Sequence, residues 1–110
     1  MEVDTKNEKM RKLIKREALI AKEYGAQISG KIFSRIQDLI HAENLYVFSK
    51  IRSAGLHPLH GDRKGQWAIK LNGNRRMIII IPEGRGDLAS PEYLETVTRV
   101  RIEELCIDYH

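Results

Sequence analysis

The chain has 110 residues, of which 42% are hydrophobic and 31% charged; 19 Lys and Arg against 15 Asp and Glu leave a formal net charge of +4. That length suits a single domain over residues 1–110, without room for two independent cores. No apolar run approaches the roughly 18 residues needed to span a bilayer, and the opening MEVDTKNEKM lacks the apolar stretch of a signal peptide. The single cysteine, Cys106, excludes an internal disulfide and, between Leu105 and Ile107, reads as a small core residue rather than a nucleophile. These features together indicate a cytoplasmic protein with no membrane partner. The basic balance favours phosphate-rich partners such as nucleic acid, a signal that many unrelated basic proteins share.

In chain order, Val3 reads as a short first strand. Thr5 to Glu8 then spells T-x-x-E, a capping box. Met10, Leu13, Ile14, Ala18, Ala21 and Tyr24 recur at helical spacing up to Gly25, a stop signal. Lys9, Lys12, Lys15, Arg16 and Lys22 occupy the other surface of that helix, as a solvated face or a docking face for an acidic partner or RNA. Ile28, Ile32, Phe33, Ile36, Leu39 and Ile40 mark a second helix, with Gly30 costing it about 1 kcal/mol relative to alanine. Residues 44–53 fit a short third helix or a turn. Gln66 to Leu71 and Arg75 to Ile81 read as two strands joined by Asn72-Gly73-Asn74, a strong hairpin signal. Met77 to Ile81 is apolar throughout and predicts a strand buried on both faces. Pro82 to Pro91 reads as an exposed loop. Val97 to Ile107 is the last strand, and its apolar phase slips at Glu103-Glu104, which predicts a bulge. Helices followed by an antiparallel sheet make the fold α+β.

Polar residues that carry chemistry gather in His57-Pro58-Leu59-His60-Gly61-Asp62-Arg63-Lys64-Gly65-Gln66-Trp67 and in the terminal Asp108-Tyr109-His110, with Arg75 and Arg76 opening the strand between them. Histidine exchanges protons near neutral pH and serves as acid or base. RNA cleavage without a metal needs a base for the 2′-hydroxyl, cations for the charge growing on phosphate, and an acid for the leaving 5′-oxygen. His, Tyr and Asp supply the proton transfers; Arg and Lys supply the charge. Each feature has a plainer reading: surface histidines, a polar turn over 61–65, and Trp67 as a core side chain rather than a base-stacking platform. A metal site built from His57, His60, Asp108 and His110 is a further alternative, without a Cys pair or HExxH spacing to support it.

The run L-H-P-L-H-G-D-R-K-G-Q-W-A-I-K-L-N-G-N-R-R-M-I-I-I, from Leu56 to Ile80, closely resembles the HigB-like ("plasmid maintenance killer") branch of the RelE/ParE toxin superfamily. That branch shows H-x-L-K-G-D-R-x-G-x-W-x-I, then N-x-R on a hydrophobic strand, and ends in D-Y-H. The resemblance implies two N-terminal helices packed on a small, mainly antiparallel sheet. It implies a type II toxin, a ribosome-dependent mRNA endoribonuclease with no cofactor. Its partners would be mRNA, the ribosome and a HigA-like antitoxin that neutralises it in a toxin–antitoxin hetero-oligomer. The catalytic positions carried over are His57, Arg76, Asp108, Tyr109 and His110, with His60, Arg63, Lys64, Trp67 and Arg75 as RNA-binding positions. Two residues depart from the pattern. His60 stands where the family has lysine, a permanent cation, and Arg75 stands where many members have tryptophan. Arg63, Lys64 or Arg75 are the replacement cations at hand. The competing readings are a ParE-like inhibitor of DNA gyrase on the same fold and a non-catalytic relative that binds only an antitoxin or RNA.

Overall fold

Val3 does sit in a short first strand, and four α-helices follow before the chain returns to the sheet. A computed structural model of the chain describes residues 1–84 and 89–108. In chain order the elements are β1 (Glu2–Thr5), α1 (Glu8–Leu13), α2 (Glu17–Tyr24), α3 (Ala26–His41), α4 (Leu45–Ser49), β2 (His57–Pro58), β3 (Gln66–Lys70), β4 (Arg75–Ile80), α5 (Pro91–Thr96) and β5 (Arg99–Asp108). The fold is α+β. The described strands form one five-stranded sheet in the order β1-β5-β4-β3-β2; β1 pairs parallel with β5 and the other pairings are antiparallel.

The first amphipathic stretch is two helices rather than one. Arg16 is extended, at φ −140° and ψ 132°, and separates α1 from α2. Lys12 with Lys15 and Arg16, and Arg11 with Lys15, would stack like charges at three- and four-residue spacing in a continuous helix, which disfavours it. The cap also differs from the capping box. Thr5 belongs to β1, and Asn7 Oδ1 accepts from the Met10 backbone N–H at 2.9 Å. The α3 stripe holds at Ile28, Ile32, Ile36 and Leu39, which are buried with Trp67, Ile69, Met77, Ile79, Val100, Ile102 and Leu105 of the sheet, while Phe33 is half-buried and Ile40 is exposed, at the edge of the stripe. Fully burying one such side chain stabilises by about 1.5–3 kcal/mol.

Residues 44–53 resolve as α4, capped by Asn44 Oδ1 accepting from Val47 N–H at 2.9 Å, and a 3₁₀ turn at Arg52–Ala54. Two further elements lie outside the sequence expectation. β2 is a two-residue edge strand at His57–Pro58, and α5 follows Ser90, whose Oγ accepts from Tyr93 N–H, with Pro91 in its first turn. Both are too short to show periodicity. The hairpin between β3 and β4 turns at Gly73, φ +51°, a conformation that side-chain-bearing residues rarely adopt. The bulge expected at Glu103-Glu104 is present: the β4–β5 register shifts between Arg76 and Ile78 and again between Ile78 and Ile79, where β5 runs from Ile107 through Glu104 to Ile102.

Candidate functional site on the open face of the sheet

Strand alternation sorts the sheet into two faces. The row Pro58, Trp67, Ile79, Ile102 faces the helices. The rows next to it face away: His57, Ala68, Ile78 and Glu104 lie side by side, and Lys70, Arg76 and Ile107 form the adjacent row. A small apolar floor of Leu59, Ala68 and Ile78, joined by Ile107, supports this second face. It accounts for the burial of β4 on both sides.

His57 is exposed on β2, and its Nδ1 lies 2.8 Å from the Gly55 carbonyl oxygen. A carbonyl can only accept, so Nδ1 carries the proton of the neutral ring and Nε2 keeps its lone pair. Gly55 reaches that position because it is left-handed, at φ +52°. Its α-carbon packs on β3: a β-carbon there would stand 3.7 Å from that of Lys70. Lys70 is exposed on the same face, directly across from Arg76. Arg76 is half-buried, and its Nη1 donates to the Gly73 and Arg75 carbonyls at 2.8 and 2.9 Å. The hairpin therefore holds the guanidinium at the rim of the face. Lys70 and Arg76 are directly opposed, about 4.5–5.5 Å apart at Cα, and His57, opposite Ala68, lies one strand over and two residues along from Lys70 on the same face.

Arg63 is already engaged. It reaches across the face from the β2–β3 connection, donating to Gln66 Oε1 at 2.8 Å and to Glu104 Oε2 at 3.1 Å. This pair cancels the one carboxylate that the bulge directs onto the face. His60 and Lys64 flank the short turn Gly61–Arg63 and are exposed.

Three sequence expectations change. Trp67 is 1% exposed and sits in the main core, so its ring has no face on which a base could stack. The RNA-contact role gives way to the packing role because Trp67 falls in the helix-facing phase of β3. Arg75 and Asp108 are cross-strand partners, one step out of phase with Arg76 and Ile107, and they project to the other side of the sheet from His57 and Arg76. Tyr109 and His110 lie outside the described residues. Lys70, in contrast, was not among the candidates; the alternation Gln66, Ala68, Lys70 against Trp67, Ile69, Leu71 was the signal that could have found it.

Cys106 packs at the edge of the main core. Burial pushes its thiol up, Arg75 pulls it down and Asp108 adds to the rise. The thiol is held protonated at neutral pH, as a structural cysteine rather than a nucleophile. Among the described residues, no three of His, Cys, Asp and Glu gather as metal ligands, and no helix is long and apolar enough to cross a membrane.

No protein-family model matches the chain, and no curated protein matches it in sequence. Among solved structures, it is similar to a YoeB/ParE toxin from Agrobacterium tumefaciens, with a TM-score of 0.53 and 14% identity over 100% of each chain. At that identity the likeness is one of architecture: the chain has the fold of a YoeB/ParE toxin.

Proposed function

We propose that this protein is the toxin of a type II toxin–antitoxin pair, on the HigB-like branch of the RelE/ParE superfamily. We propose that it cleaves mRNA on the ribosome by metal-independent attack of a 2′-hydroxyl on the adjacent phosphate, and that a HigA-like antitoxin restrains it. The observation that carries this reading is a histidine with a committed tautomer on the same sheet face as two cations. With Nδ1–H donating to Gly55, Nε2 of His57 is the base for the 2′-hydroxyl proton. Lys70 and Arg76, opposed on β3 and β4, stabilise the charge that grows on the phosphate oxygens. The acid that protonates the leaving 5′-oxygen is assigned to His110, with Tyr109 beside it against the RNA. Both assignments come from the resemblance.

The test is a cell-free translation reaction with one defined mRNA, purified protein and transcript ends mapped by primer extension. Discrete cuts that require ribosomes are expected, with His57→Ala and His110→Ala each slowing cleavage by about 10²–10⁴. Cuts without ribosomes would retain the ribonuclease and remove the ribosome from the proposal. Intact mRNA together with blocked supercoiling by DNA gyrase would replace this reading with gyrase inhibition. Intact mRNA and unaffected gyrase would leave a non-catalytic relative.

A further inference from the structure

Arg35 is the one buried charged residue among those described, at 4% exposure, in the middle of α3 on the side of the sheet away from the site. An arginine in a core requires several acceptors, and Arg35 has three. Nε donates to the Lys70 carbonyl at 3.0 Å, Nη2 to the Ser53 carbonyl at 2.8 Å, and Nη1 to Asp38 Oδ2 at 3.2 Å. Stability alone does not call for this arrangement. Replacing a whole buried ion pair by apolar side chains of similar volume is often neutral or stabilising, although removing one partner alone is costly. What the planar fork does, and an apolar residue cannot, is hold two backbone carbonyls from different elements at a fixed separation.

Those two carbonyls bracket the candidate site. Lys70 ends β3 and stands across from Arg76. Ser53 lies in the turn Arg52–Ala54, which runs through the left-handed Gly55 to His57. Gly55 packs on Lys70 and its carbonyl sets the His57 ring. We propose that Arg35 is a positioning residue: by clamping the Ser53 turn to the end of β3, it fixes the His57 ring and its Nδ1–H tautomer against Lys70. Its effect on cleavage rests on the ribonuclease reading above; the clamp itself does not.

The experiment uses the full chain with ¹⁵N-labelled histidine, and reads the His57 tautomer by multiple-bond ¹H–¹⁵N correlation alongside kcat in the translation assay. In the wild type, neutral His57 is expected as the Nδ1–H form. Arg35→Met keeps the volume but leaves the Lys70 and Ser53 carbonyls without their donor, so a lower urea midpoint is expected and the tautomer and rate are read on the folded protein. It is expected to lose the single tautomer and to lower kcat per folded molecule by about 10- to 100-fold, the scale set by misplacing a reacting group by about 1 Å. Arg35→Lys, which reaches one carbonyl at a time, is expected to fall between. A wild-type ring in the Nε2–H form overturns the clamp. So does an Arg35→Met protein with unchanged tautomer and unchanged kcat. An Arg35-dependent tautomer in a wild type that cuts no RNA would leave the clamp standing and refute the ribonuclease reading instead.

Discussion

Replacing Trp67 by alanine separates its two roles, because a core residue and a base-stacking platform fail in different ways. Trp67 is 1% exposed and belongs to the same cluster as Ile69, Met77, Ile79 and the α3 stripe. An aromatic side chain of this size buries about 150–250 Å². At about 25 cal/mol per Å² that is about 4–6 kcal/mol, an upper bound because denatured chains already bury some apolar area. Reducing it by 10–40% gives roughly 2–5 kcal/mol, in line with the 3–5 kcal/mol typical of Trp→Ala in cores. Domains are stable by only about 5–15 kcal/mol, so this is a large fraction of the total. At about 4–8 °C per kcal/mol for a domain near 100 residues, the expected fall in Tm is about 8–40 °C. The assay is urea and thermal unfolding followed by circular dichroism, with the milder Trp67→Phe variant assayed in parallel for RNA cleavage per folded molecule. Trp67→Phe is expected to cleave at a near-normal rate. A Trp67→Ala protein as stable as wild type, or a Trp67→Phe protein that is fully folded but cleaves more than tenfold slower, would refute the assignment of this ring to the core.

Lys70→Ala is expected to weaken binding of a single-stranded RNA that carries 2′-deoxyribose at the cleavage position, and to reduce the slope of log affinity against log salt by about 0.7, one phosphate contact; an unchanged slope would remove Lys70 from the site. Glu104→Gln releases Arg63, and because the pair is partly exposed it should change stability by less than about 1 kcal/mol. The same variant should bind RNA more tightly with a steeper salt dependence, and unaltered binding would show that Arg63 does not face the nucleic acid. Asn44→Ala removes the cap of α4 and should cost about 1 kcal/mol in a denaturant titration. Burial raises both the Cys106 thiol and the Tyr24 phenol above their ordinary values of 9.0 and 10.0. A group raised on folding contributes stability that is fully present below its unfolded value and is lost as pH rises through its folded value. The urea midpoint should therefore fall as pH climbs past about 9, and less steeply in Cys106→Ala; parallel curves for the two proteins would exclude the thiol from this loss.

The order of helices before sheet, the α3 stripe, the hairpin at Asn72-Gly73-Asn74 and the bulge near Glu103-Glu104 were all legible in the residues, because each is set by local periodicity or turn chemistry. His57 and Arg76 were legible as candidates, since the chemistry of a metal-free ribonuclease restricts the residue types it can use. The break between α1 and α2 was not, because apolar spacing carries through the charge repulsion that interrupts the helix. Elements as short as β2 and α5 leave no period to read. The deeper gap concerns faces. Sequence places Arg75 beside Arg76 and Trp67 beside Ala68, but strand alternation sends neighbours to opposite sides of the sheet, and only the register of β3, β4 and β5 shows which side is covered by helices. That register moved Trp67 into the core, set Arg75 and Asp108 behind the sheet and brought Lys70 to His57. Arg35, 22 positions before His57 in the chain, owes its link to that histidine to two backbone carbonyls, which no side-chain pattern encodes.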